Sequence, residues 1–211
     1  MTVLEIDTPR GPARAHLHPA RKAVGALVLG HGAAGGVSAR DLVTITDAAR
    51  AVGFSVALVE QPYRVAGKRS SPAAATLDEA WAAVVEHLRE HELSGLPLIV
   101  GGRSAGARVA CRTAAASGAV GVLCLAFPLH PPGRADDPAK SRLPELDAVE
   151  VPTLVVQGTG DPFGMPPPGP SREVVKVPGN HSLTADLEAV GAAVRDWLPR
   201  VVAEPASGPV R

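Results

Sequence analysis

Three residues whose types would do chemistry together stand far apart in the chain: Ser104, Asp161 and His181. A serine hydroxyl is a weak nucleophile until a base takes its proton, and that base needs an acid to orient it and stabilise its charged form. Ser104 lies in Gly102-Arg103-Ser104-Ala105-Gly106, which fits G-x-S-x-G. That pattern presents a serine on a sharp strand-to-helix turn, where flanking glycines leave room for crowded backbone. Asp161 lies in Gly158-Thr159-Gly160-Asp161-Pro162 and His181 in Pro178-Gly179-Asn180-His181-Ser182. Each piece has a plainer reading: the glycines permit a tight turn, Asp161 before proline is a turn former, and His181 starts a helix. Serine, acid and histidine in that order, each after a strand, are harder to obtain by chance.

A second glycine motif admits two chemistries. Gly30-His31-Gly32-Ala33-Ala34-Gly35 fits G-x-G-x-x-G after a predicted strand, and the acidic Glu60 ends the next strand. That imitates a dinucleotide-binding fingerprint. In the fingerprint, however, the third glycine already lies in the helix, with phosphate at the helix N-terminus. Here Gly36-Val37-Ser38 continues the loop, and Ser38 is the better N-cap. The better fit is half of an acyl-transfer site. Small residues let the Ala33 N–H point at a developing oxyanion, and the Ala105 N–H, opening a helix, is the second donor. His31 then reads as a brace for the loop rather than as a base.

Other candidates carry less. His130, Tyr63 and Arg64 fall in loops at the same edge and are candidates for lining a pocket. His87 and His91 have the i, i+4 spacing of zinc ligands, but sit in a Glu-rich helix without an evident third ligand, so no metal is expected. His16 and His18 alternate on a possible edge strand. No cofactor is expected.

These residues need elements to position them. The predicted strands are Ala23–Leu29, Ser55–Val59, Leu98–Val100, Val120–Leu125, Thr153–Gln157 and Glu173–Val177, with weak support for another within Ala13–His18. Helices are predicted over Asp41–Val52, from Thr76 (capped by a box with Glu79) to about His91, over Ala105–Ala116, and within Leu183–Val201. Apolar strands separated by helices imply a mostly parallel, doubly wound α/β sheet with helices on both faces. Two proline-rich loops, Phe127–Val151 and Thr159–Ser171, follow strands at the C-terminal edge, where open α/β sheets bind ligands. One domain over residues 1–203 is expected, with Glu204–Arg211 as a flexible tail.

Composition narrows the classes. The 211 residues carry 21 Lys+Arg against 21 Asp+Glu, which argues against a nucleic-acid partner. No apolar stretch reaches membrane-span length, and the first residues do not read as a signal peptide. Two cysteines, both among apolar neighbours, read as buried free thiols of a cytoplasmic protein. Aromatics are 3%, so Val, Leu, Ile and Ala must build the core.

The pieces GHGAAGG, QPYR, GGRSAGARVA, FPLHPPGR, VQGTGDPFG and GNHSL, spread over roughly residues 23 to 200, resemble those of small α/β-hydrolases related to dienelactone hydrolase. The resemblance is nearest the testis-expressed and chromatin-complex-subunit-like branch. It implies an α/β-hydrolase fold and places nucleophile, acid and base on Ser104, Asp161 and His181. No separate cap domain is evident; only Phe127–Val151 could cover the site. The expected function is a serine hydrolase acting on a small-molecule ester-like substrate through an acyl-enzyme. The alternative is a binding or complex-subunit protein that keeps the fold without turnover.

Overall fold

The computed structural model describes residues 1–203; the expected tail, Glu204–Arg211, lies outside the described residues. Eight strands form one sheet in the order β1-β2-β4-β3-β5-β6-β7-β8. The central strands are β3 (Gly25–Gly30), β4 (Phe54–Glu60), β5 (Leu98–Arg103), β6 (Gly121–Leu125) and β7 (Thr153–Gly158), with β8 (Arg172–Val177) at one edge. All six run parallel. At the other edge β2 (Ala13–His18) and β1 (Thr2–Ile6) add antiparallel pairs. β3, β6 and β7 are buried along their whole length. Strands covered on both faces read as continuous apolar runs, and that is why those segments were legible.

Two apolar layers sandwich the sheet. On one face α3 (Ala74–Glu90), α4 (Ala105–Ser117) and α5 (Leu143–Asp147) bury Leu77, Trp81, Val109 and Leu146. On the other, α1 (Arg40–Ala51) and α6 (Leu187–Ala203) bury Leu42, Ile45, Val194 and Trp197. A four-residue helix, α2 (Pro62–Val65), follows β4. Among the described residues no helix is long and apolar enough to cross a membrane.

Several boundaries differ from expectation. Ser38 does not cap α1: Ala39 stands at the N-cap without a side-chain hydrogen bond, and its carbonyl takes the first helical bond from Val43 at 3.0 Å. The Thr76–Glu79 box is not a start signal either. Alanines extend α3 back to Ala74, and the Thr76 N–H bonds the Ala73 carbonyl at 3.1 Å inside the first turn. α6 starts inside the predicted Leu183–Val201 span, where Leu183 takes φ 54° and Asp186 supplies the cap, its Oδ1 accepting from the Ala189 N–H at 2.9 Å, and it runs past Val201 to Ala203. The strand β1 was not expected; only Ile6 is fully buried there, so pairing rather than an apolar pattern defines it. The segment Phe127–Val151 holds a short 3-10 turn (Pro138–Lys140) and α5. Glu145 of α5 accepts from Arg108 and Arg112 of α4, at 2.5 and 3.2 Å, which pins this segment beside the helix that follows Ser104.

Candidate active site

Ser104 sits between β5 and α4 with φ 53° and ψ −109°, a backbone region that side-chain-bearing residues rarely adopt. Holding a residue there costs on the order of 1–3 kcal/mol, so the surroundings must enforce it. They do so by close approach. A Cβ on Gly102 would lie 2.6 Å from the Gly30 carbonyl oxygen, and one on Gly106 would lie 2.5 Å from the same oxygen. The two flanking glycines of G-x-S-x-G let β3, β5 and α4 converge and push the serine up from the sheet edge.

The strand ends bring the other two residues to it. His181 Nε2 lies 2.9 Å from Ser104 Oγ, and His181 Nδ1 lies 2.8 Å from Asp161 Oδ2. A carboxylate only accepts, so Nδ1 carries the proton and donates to it, leaving the Nε2 lone pair for the serine O–H. The Asp161 side chain is 1% exposed and that of His181 18%. The other carboxylate oxygen, Oδ1, accepts from the Phe163 N–H at 2.9 Å, and the Phe163 ring packs on the His181 ring with centroids 4.3 Å apart.

His31 orients one backbone amide by a chain of three bonds. Its Nε2 accepts from the Gln61 N–H at 3.2 Å; a backbone amide can only donate, so the ring proton is on Nδ1. Nδ1 in turn donates to the Gly32 carbonyl at 2.8 Å, which also receives the Gly35 N–H at 3.1 Å. The peptide is trans, so the Ala33 N–H on the same plane points the opposite way. The Tyr63 hydroxyl donates to the Ala33 carbonyl at 2.9 Å and holds the next peptide. A Cβ on Gly32 would stand 3.6 Å from Ser104 Cβ, so this loop lies against the serine. Among the described residues neither the Ala33 N–H nor the Ala105 N–H, which opens α4, donates to a protein acceptor. Burial holds the His31 imidazole below its ordinary titration range, with the bond to Gly32 opposing. A cavity of about 10 Å³ bordered by His31, Tyr63, Trp81 and Ala105 adjoins the loop.

Four participants escaped sequence reasoning: Arg103, Asp41, Phe163 and Gln157. Arg103 Nε lies 2.7 Å from Asp41 Oδ2, and its Nη2 donates to the His181 backbone carbonyl at 3.1 Å. Burial pushes the Asp41 carboxyl up, and the Arg103 guanidinium pulls against it. The signal was an acid at i−4 to Ile45 in the apolar stripe of α1, and an arginine ending an apolar strand. Gln157 showed none; it stands next to the end of β7 like any polar residue near a strand end.

The remaining candidates lie apart from this hydrogen-bond chain. The His130 N–H bonds the Phe163 carbonyl at 3.0 Å and its ring flanks Gly164, so it borders the acid loop. Arg64 bonds the Lys68 carbonyl at 3.3 Å. His87 and His91 stack at 4.4 Å, and no group of three candidate metal ligands occurs among the described residues. His16 pairs with Glu60 at 3.2 Å. That occupies the acid of the dinucleotide alternative, and α1 starts only at Arg40, beyond Gly35, so no helix N-terminus stands at the glycines.

A sharp strand-to-helix turn carrying Ser104 over a mostly parallel eight-stranded sheet, with Asp161 and His181 brought to it from later strand ends, defines an α/β fold. Residues 23–185 match the alpha/beta hydrolase domain, and the chain belongs to the α/β-hydrolase family. A lidless α/β serine hydrolase from Xanthomonas campestris superposes with a TM-score of 0.76 at 21% identity, covering 97% of this chain and 96% of that one. Est1E from Butyrivibrio proteoclasticus, with ferulic acid bound, gives 0.80 at 17% identity over 95% and 100%. Dienelactone hydrolase from Anabaena variabilis gives 0.73 at 16% identity over 94% and 96%. At such identities these likenesses speak for the fold. A search of the curated proteins finds no match.

Proposed function

We propose that this protein is a serine hydrolase that cleaves an ester-like bond in a small acyl substrate. The observation that carries the reading is the unbroken chain Asp161–His181–Ser104, at 2.8 and 2.9 Å. His181 Nε2 takes the Ser104 proton as Oγ attacks the carbonyl, and Asp161 stabilises the resulting imidazolium. The Ala33 and Ala105 amides receive the oxyanion; one such donor is worth roughly 3 kcal/mol in the transition state. His181 then protonates the leaving alcohol. Water, deprotonated by the same nitrogen, attacks the acyl-enzyme and frees Ser104. Between β6 and β7 the described residues hold only a 3-10 turn and the five-residue α5, which is held beside α4 by Glu145; without a separate helical cap, small or flexible acyl groups are favoured. The sequence motifs support placing the chain near the dienelactone-hydrolase-related, testis-expressed-like branch. Cys111 and Cys124, free and buried, fit a reducing cytoplasm.

Hydrolysis of p-nitrophenyl acetate by the wild type, Ser104→Ala and His181→Ala tests the reading. The expected result is turnover by the wild type and a loss of at least about 10³-fold in either variant. Equal turnover in wild type and Ser104→Ala overturns it. Turnover by none of them favours the non-catalytic alternative, a fold kept for binding.

A further inference from the structure

We infer that Gln157 is a positioning residue for the acid: acting through Asp161, its side-chain amide sets how firmly His181 holds a proton. The role in turnover rests on the hydrolase reading above; the electrostatic role does not.

Gln157 precedes the last residue of β7 and is fully buried. Its Nε2 lies 2.9 Å from Asp161 Oδ2, the same oxygen that accepts the His181 Nδ1–H. The nitrogen also lies 2.8 Å from the Gly164 carbonyl and 3.1 Å from the Phe127 carbonyl. Three acceptors surround a group with two N–H bonds, and turning the amide over would aim Oε1 at three oxygens, so the orientation is fixed. Oε1 is buried and has no partner among the described residues. All the hydrogen bonding of this side chain therefore goes to its nitrogen side. That side fastens the acid loop, through Asp161 and Gly164, to the start of the segment after β6, through Phe127.

The chemical consequence follows from the shared oxygen. An N–H on Oδ2 withdraws charge that would otherwise stabilise the imidazolium. Removing it makes Asp161 a stronger partner for protonated His181, so the ring should keep its proton to higher pH. A protonated Nε2 cannot accept the serine proton, and the acid limb of kcat/KM should move the same way.

Gln157→Met, near the same shape without the donor, is the test. Expected are an acid limb of kcat/KM displaced upward by about 0.5–1 pH unit, a matching displacement of the His181 ring titration by NMR, and little change in KM. A folded variant with the limb and the ring titration unmoved overturns the inference. Where the variant does not fold, the wild type decides. The Gln157 side-chain ¹⁵N resonance should titrate in step with the His181 ring; a flat resonance beside a titrating ring overturns the inference. The ring titration needs no turnover. A wild type that shows the linked titration but hydrolyses no ester refutes the hydrolase reading alone. Turnover with an unmoved limb and an unmoved ring refutes this inference alone.

Discussion

Arg103 Nη2 donates to the backbone carbonyl of His181 at 3.1 Å. The residue before Ser104 thus holds the loop that carries His181, across 78 positions of sequence. The same guanidinium is neutralised by Asp41 at 2.7 Å and lies where a Cβ on Gly32 would be 2.8 Å from Nη1. One side chain ties the elbow, the histidine loop, the start of α1 and the glycine loop together. The variable position of G-x-S-x-G is here a structural hub.

Breaking that hub should cost more than removing it. Arg103→Leu leaves the Asp41 carboxylate, 2% exposed in its side chain, without its cation. A loss of about 3–5 kcal/mol in urea unfolding is expected. Arg103→Leu combined with Asp41→Leu should regain most of it, though His181 would still be less well placed and activity low. A double variant no more stable than the single would show that the pair is not the source of the cost.

His31 gives the fold an acid-side weakness of known sign. Burial lowers its titration below the ordinary 6.5 of an unfolded histidine, so between those values the unfolded chain binds the extra proton. This contribution to stability is complete above pH 6.5 and is lost as pH falls below it. His31→Gln should flatten that part of the pH dependence in urea unfolding between pH 7 and pH 5. An unchanged slope would mean that His31 does not carry the neutral, Nδ1–H form.

The same substitution should impair catalysis apart from stability. With the Gly32 carbonyl no longer held at 2.8 Å, the Ala33 amide loses its fixed direction. The expected loss in kcat is roughly 10–10³-fold, bounded by what one oxyanion donor contributes. Unaltered kcat at pH 8 would remove Ala33 from the oxyanion hole.

Glycine positions should separate sharply. Gly106→Ala sets a Cβ 2.5 Å from the Gly30 oxygen and 2.6 Å from its carbon, backbone that cannot rotate away. A loss of about 1–3 kcal/mol or more is expected. Gly36→Ala meets nothing within 4 Å and should melt like the wild type. Equal melting temperatures for the two variants would contradict the close convergence of β3, β5 and α4.

The parts legible in the sequence were those with a local signature. Continuous apolar runs disclosed the central parallel strands, and chain order with strand-end placement picked out Ser104, Asp161 and His181, which the fold brings within hydrogen-bond distance. Parts defined by distant partners were not legible. β1 is an edge strand shown only by its pairing, and Arg103, Asp41 and Gln157 matter through bonds to loops far away in sequence. Helix starts at Ser38 and Thr76 were misplaced because alanine-rich segments extend or begin helices without a side-chain cap.

The proposed hydrolase function requires that Ser104 be a nucleophile activated by His181. Intact-mass analysis after a fluorophosphonate probe tests it most directly. The expected result is one adduct per wild-type chain, mapped to Ser104, none on Ser104→Ala, and slow labelling of His181→Ala. An unlabelled wild type, or equal labelling of Ser104→Ala, would contradict it.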